Sequence, residues 1–373
     1  MFEHLDDVHP PAFDDRFRRA VAQRGRRLRR RRRLAGGAGL AVLGLVAGAG
    51  GLYGRALWRI GDVDRADVAS TGPVAVGEPV TLLLVGTDGH TDGGEHGLTD
   101  TMLLARLDPS AGTAGLLSLP RDLLVTPPGG GDPTRLNAIW STGDPSDLVA
   151  VVESQVGVPV DHMVEIDMDG FRSLVDRLGG LEVWFDTAVR DRRSGLFVDE
   201  LGCVALDGEQ VLALVRSRHV EVQDEGGTWV QDPLSDLRRV ETQQQVLVAA
   251  LASLADEGID PVTLDEHAGW AVDHLTVDSA LSVRELVELA RAAAGLDPAG
   301  VSRSTLPVVP HPDDPNRLVI DADAAPAVVE AFTTGRPSAP AAGGAAPTPE
   351  EPLPNTPLPD GALPGGAIVD PCP

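Results

Sequence analysis

From Val80 onward, short apolar runs alternate with segments of helical period. The runs Val80–Val85, Met102–Leu107 and Gly115–Leu119, with turn residues between them, predict strands of one sheet. A helix is expected over Ser146–Val156, opened by Asp144-Pro145, then a strand over His162–Ile166. Next come a helix over Phe171–Leu178, ended by Gly179-Gly180, and a strand over Leu181–Phe185. Further helices are expected over Gly208–Val215, Leu234–Leu254 and Val283–Ala294, strands over Ser302–Val309 and Arg317–Ile320, and a closing helix over Ala325–Phe332. The alternation predicts a layered α/β domain.

The pattern changes at both ends. An Arg-rich run, Arg24–Arg33, precedes an uncharged apolar stretch from Leu34 to Tyr53. At about 1.5 Å per residue this stretch spans a hydrocarbon core of about 30 Å, and it is longer and later in the chain than the core of a cleaved signal peptide. The arginines before it place the N-terminus in the cytoplasm and the rest of the chain, beyond the apolar stretch, outside the cell. Beyond Pro337 the chain is mostly Pro, Ala and Gly, which bury too little apolar surface to offset ordering. The expected organisation is a cytoplasmic segment at 1–33, a transmembrane helix at 34–54, a linker at 55–79, the α/β domain at 80–335 and a disordered tail at 336–373.

Charge sharpens this division. The net charge is −25, yet the first 33 residues carry +6, which leaves −31 for the remainder. An acidic domain of that kind repels nucleic acid, so phosphate binding must come from a local group of arginines. Two cysteines, Cys203 and Cys372, are too few for a zinc site; a disulfide between them and two free thiols both remain open.

Four constellations could carry chemistry. Asp88 ends the strand-to-turn motif Gly86-Thr87-Asp88, and Asp100 follows in Thr99-Asp100-Thr101-Met102. Adjacent strands could bring both carboxylates to one sheet end, where a hard cation takes one oxygen from each; two solvated turn acids fit the spacing as well. Ser118-Leu119-Pro120-Arg121-Asp122 delivers Arg121 to the same edge, or forms a structural Arg-Asp pair. Leu206-Asp207-Gly208-Glu209-Gln210 leads to Val215-Arg216-Ser217-Arg218, whose arginines share a face on an extended chain and diverge on a helix. Paired guanidiniums offer bidentate donors to phosphate; otherwise they are a solvated pair. On a helix, Asp236, Arg239 and Gln243 share one face, which reaches into a pocket or is simply wet.

Taken in order, Gly-Thr-Asp, Thr-Asp-Thr-Met, Leu-Pro-Arg-Asp, Leu-Asp-Gly-Glu-Gln with Val-Arg-Ser-Arg, and Asp-x-x-Arg before a Gln run resemble the LytR-CpsA-Psr family over residues 80 to 335. Arg135-Leu136-Asn137-Ala138 and Asp169-Gly170-Phe171 fit as well. The resemblance implies a layered α-β-α domain with a central mixed sheet behind one membrane helix. It also implies a phosphotransferase that moves a glycopolymer from a polyprenyl diphosphate to peptidoglycan. Residue by residue it implies Mg²⁺ on Asp88 and Asp100, diphosphate contacts from Arg121, Arg216, Arg218 and Arg239, support from Gln243, and Asp122 as a base or orienting acid.

Two departures bear on activity. Leu98 and Thr242 stand where the family commonly has arginines, and each missing guanidinium removes a charge-assisted bond of about 1.5 to 3 kcal/mol. Activity reduced by these two positions is therefore one expectation. The alternative is a weakened relative that binds polyprenyl (di)phosphate lipids or acts as a cell-wall scaffold.

Overall fold

A computed structural model describes residues 54–68, 71–72, 74–75, 77–88, 99–224, 226–232, 235–257, 261–335 and 370–372. Leu98, all but the last position of the expected membrane helix, and most of the tail lie outside the described residues. Among the described residues no helix is long and apolar enough to cross a membrane.

Seven strands form the central mixed sheet, in the order β1 (Asp64–Ala66), β14 (Leu275–Asp278), β7 (His162–Asp167), β2 (Val80–Thr87), β3 (Thr99–Asp108), β4 (Thr113–Ser118) and β15 (Ser302–Thr305). β2 runs parallel to β7 and antiparallel to β3, while β4 is antiparallel to β3 and parallel to β15. The central strands are apolar on both sides because both faces are covered. Leu83, Val85, Leu104 and Leu117 pack on one face against α2 (Leu136–Trp140), α3 (Pro145–Val156) and α9 (Ala325–Thr334). Leu82, Leu103, Ala105 and Leu116 pack on the other, against α6 (Ser235–Glu257) and α8 (Val283–Ala294). Each Leu so buried contributes about 1.5–3 kcal/mol.

A second, smaller core is built from α4 (Met168–Arg177), β8 (Leu181–Phe185), β9 (Val189–Asp191), β10 (Leu196–Val198), β11 (Gly202–Leu206), α5 (Gly208–Arg216) and β12 (Glu221–Gln223). With β13 (Trp229–Gln231), β9, β10 and β12 make a four-stranded antiparallel sheet. Helix α6 serves both cores: Leu247 and Val248 face the central sheet, and Val246 and Ala250 face the small lobe. At Gly208 a Cβ would lie 2.3 Å from the Arg172 carbonyl oxygen, so the close approach of α4 and α5 requires glycine.

Several boundaries differ from expectation. The stretch Ser302–Val309 is two strands, β15 and β16 (Val308–His311), because Pro307 has no N–H to continue the ladder. β16 pairs instead with β17 (Asp314–Ile320). Part of the expected linker lies in the sheet, since β1 pairs parallel to β14; ahead of it the helical residues 54–60, here α1, bury Ala56 and Ile60. Helix α7 (Pro261–His274), β14, the short pair β5 (Leu124–Val125) and β6 (Thr134–Arg135), and the three-residue strands of the small lobe were not expected; the strands are too short to show a period, and Gly269 weakens the helical signal of α7. At the other end of the chain, β18 (Asp370–Pro371) pairs with β8, and Cys203 is bonded to Cys372, so the last described residues are tied to the small lobe.

Candidate functional site

Strands β2, β4 and β7 run in one direction, so Thr87, Ser118 and Asp167 close the same end of the sheet, where β3 begins at Thr99. At this end the apolar layer under α6 opens into a cavity of about 170 Å³. Leu84, Gly86, Thr87, Thr101, Leu103 and Ser118 come from the sheet, Phe171 from α4, Leu212 and Val215 from α5, and Val246 and Leu247 from α6. A Cβ on Gly86 would stand 3.1 Å from the Thr101 Cβ, so glycine keeps both the strand pairing and the open space there.

Among these apolar walls stand Arg216, Arg218, Arg239, Gln243 and Gln244. The first two owe their position to the start and stop of α5. Asp207 caps the helix by accepting the Gln210 N–H at 2.9 Å, and Gln210 returns its side-chain oxygen to the Asp207 N–H, so the Leu-Asp-Gly-Glu-Gln motif is a capping box. The helix stops at Ser217, which is extended (φ −67°, ψ 125°). Arg216 is thus the last helical residue and Arg218 lies beyond, an arrangement neither wholly helical nor wholly extended that brings both to one cavity.

Asp191 fixes this turn from beneath. Its side chain is buried; one oxygen accepts the N–H of Arg193 at 2.8 Å and of Ser194 at 3.4 Å. The other accepts the N–H of Arg218 at 2.9 Å and of His219 at 2.8 Å. Burial alone would raise its pKa, but these four donors outweigh it and hold the carboxyl below its ordinary value.

Arg239 and Gln243 lie one turn apart on α6, as the helical spacing requires, and Arg239 is only 7% exposed. Gln243 donates to the Val215 carbonyl at 3.1 Å, fixing α6 to the end of α5 beside Arg216. Gln244, which sequence reasoning passed over, is buried and donates to Ser118 Oγ at 2.8 Å and to the Ser304 carbonyl at 2.7 Å. Its place in a Gln run was the available signal. Asp167, also passed over, lines the cavity and caps α4 through the Gly170 N–H. The Asp236 side chain lies outside the described residues. Thr242 is buried and is not among the cavity-lining residues.

The acids and Arg121 sit at the same sheet end but not in the cavity lining. Asp88 is exposed and directly follows Thr87. Asp100 falls in the bulge between the pairs Gly86–Thr101 and Thr87–Thr99; its side chain too lies outside the described residues. Arg121, just past β4, pairs with Asp122 at 3.4 Å, and Arg135 approaches the other Asp122 oxygen at 3.4 Å.

The chain resembles known proteins in sequence and in fold. It is 31% identical over 291 residues to a probable cell wall biosynthesis protein, LcpB, of Corynebacterium glutamicum, a match covering 74% of this chain and 65% of that protein. Over 171 residues it is 34% identical to polyisoprenyl-teichoic acid–peptidoglycan teichoic acid transferase TagU of Enterococcus faecalis, covering 46% of this chain and 52% of that one. The chain therefore spans less than two thirds of the length of these relatives. Among solved structures, a LytR-Csp2A-Psr enzyme from Actinomyces oris superimposes with a TM-score of 0.59 at 28% identity, covering 72% of this chain and 95% of that one. The LytR_cpsA_psr family profile matches residues 61–328, and this chain belongs to that family.

Proposed function

We propose that this protein is a membrane-anchored, extracellular phosphotransferase that moves a glycopolymer from a polyprenyl diphosphate carrier to peptidoglycan. The observation that carries the reading is the convergence of Arg216, Arg218 and Arg239 on a largely apolar cavity at one end of the sheet. A dry, greasy pocket with a few cations at its mouth suits a ligand with a long apolar tail and a multiply charged head. The relatives named as transferases and cell wall proteins support the same reading.

In the reaction, a peptidoglycan hydroxyl oxygen attacks the phosphorus that bears the glycopolymer. The bond from that phosphorus to the bridging oxygen breaks, polyprenyl phosphate leaves, and the hydroxyl proton passes to solvent or a nearby base. Arg216, Arg218 and Arg239 bind the diphosphate and neutralise charge on the transferred group, Arg121 adds to them from the rim, and Gln243 holds Arg216 in place. Asp88 and Asp100, hard oxygen donors beside the paired ends of β2 and β3, would be the residues to hold a Mg²⁺ ion. When bound, that ion supplies further charge neutralisation.

The apolar run at 34–53 would hold the chain in the cytoplasmic membrane with the domain outside, and a bonded cysteine pair suits an oxidising compartment. Thr242 is buried and off the cavity, and Arg216, Arg218 and Arg239 all line it, so the clamp keeps three guanidiniums for transfer. Full-length protein in vesicles, given Mg²⁺, a polyprenyl-diphosphate-linked glycopolymer and peptidoglycan, should release polyprenyl phosphate. No release above that of Asp100→Ala would reject the reading.

A further inference from the structure

The outer face of the small four-stranded sheet is not used by the cavity, and its side chains form one patch. Along β9, β10 and β12, Val189, Asp191, Leu196, Val198 and Val222 turn inward and are buried. The alternate positions, Arg190, Phe197, Glu221 and Gln223, therefore face out, joined by Trp229 and Gln231 on β13. Register aligns Phe197 with Arg190, Arg190 with Glu221, and Glu221 with Gln231 in one row, and Gln223 with Trp229 in the next. Phe197 is 55% exposed, an uncommon state for a phenyl ring. It lies 6.3 Å from the Trp229 ring, and the Arg190 guanidinium carbon stands 4.2 Å from the centre of that ring. Arg190 and Glu221 form an ion pair, and Arg192 reaches the same Glu221 oxygen at 3.8 Å, so two guanidiniums share one carboxylate here.

From these observations we propose that this face is a binding platform for an uncharged pyranose chain, namely the acetamido-sugar strand of peptidoglycan. Aromatic rings offer flat apolar surface to the C–H faces of sugar rings, while the planar Arg, Glu and Gln groups beside them can hydrogen-bond to hydroxyl and amide groups. With two guanidiniums against one carboxylate, the face carries less positive charge than the three arginines of the cavity and is the weaker site for a polyanionic glycan. The platform is also joined to that cavity. The β9–β10 turn is held to the Arg218 turn by the Asp191 carboxylate, by Ser194 Oγ to Ser217 Oγ at 2.8 Å and by Arg193 Nη1 to His219 Nε2 at 2.8 Å. From Arg218 the chain needs three residues, about 10 Å when extended, to reach Glu221 on the platform. A glycan strand seated there lies beside the place where its hydroxyl would be used, and in that respect the proposal rests on the transferase reading.

The test is binding without turnover. Full-length protein in detergent is cosedimented with insoluble peptidoglycan stripped of attached polymers, and titrated with a soluble oligosaccharide of acetamido sugars and with a polysulfated glycan. The intact protein should bind the first two, and Phe197→Ala and Trp229→Ala should each weaken binding about tenfold while binding of polyprenyl phosphate is unchanged. Phe197→Ala removes an exposed ring and leaves the core intact, so it decides the matter if Trp229→Ala folds poorly. Failure of the intact protein to bind, unchanged binding by Phe197→Ala, or preference for the polysulfated glycan would overturn the platform. Loss of transfer activity alone would not bear on it, and loss of polyprenyl phosphate binding would point to the cavity instead.

Discussion

Replacing Asp191 by Asn tests whether a buried carboxylate sets the arginine turn. Its two oxygens serve two separate pairs of donors, Arg193 and Ser194 on one side and Arg218 and His219 on the other. Asparagine has one oxygen and must turn its NH2 toward one pair, where donor meets donor. Two bonds to a charged acceptor are then lost, each worth about 1.5 to 3 kcal/mol, so a stability loss of about 3 to 6 kcal/mol is the ceiling, reduced by whatever relaxation the turn allows. If the Arg218 side gives way, one guanidinium contact loosens and kcat/KM should fall by about ten- to a hundredfold. The pH dependence has a definite sign. The folded-state pKa lies below the ordinary value of 3.8, so the carboxylate stabilises the fold above that value and the benefit fades as pH drops through the lowered pKa. Urea unfolding of parent and Asp191→Asn should therefore differ most at neutral pH and converge under acid. A variant that unfolds within about 0.5 kcal/mol of the parent and transfers at the parental rate would refute the reasoning.

Arg239→Ala removes a nearly buried cation from the cavity wall and should lower kcat/KM by about ten- to a hundredfold; a parental rate in the release assay would count against its role. Cys203→Ser opens a link across 169 residues, which a chain-entropy estimate values at about 5 kcal/mol, so denaturant melts should shift strongly, and reductant should shift the parent but not the variant. Asp278 is buried against His162, with Nδ1 to Oδ2 at 3.1 Å; burial pushes its pKa up, but the imidazole and the Met163 N–H pull it below normal. Asp278→Ala should cost about 3 to 5 kcal/mol at neutral pH, and the deficit should shrink as the parent is acidified through that lowered pKa; equal deficits at all pH values would contradict the assignment.

The parts of the fold legible in the sequence are those with long, unmixed signals. Strands β2, β3 and β4 are apolar runs covered on both faces, and α3, α5 and α8 carry explicit caps at Asp144, Asp207 and Ser282. In the small lobe α4, β8 and α5 are legible, whereas β9, β10, β12 and β13 are not, because each is three residues long and alternates with polar outer positions only once or twice. The arginines of the cavity could be named from their motifs, but not their arrangement. Whether Arg216 and Arg218 would meet depended on where α5 stops, and that is set by Ser217 and by Asp191, a distant acid with no motif of its own. Arg121 differs: its motif places it at the same sheet end, where it contacts Asp122 and is not among the cavity-lining residues.

The covalent tie between Cys203 and Cys372 holds β18 to the small lobe independently of the main chain that joins the two cysteines. A peptide bond cut between positions 336 and 369 leaves Cys372 fastened to the small lobe, so the nick stays silent in a non-reducing gel and shows as two pieces only once a thiol is added. Damage in that stretch is thereby uncoupled from loss of the last strand.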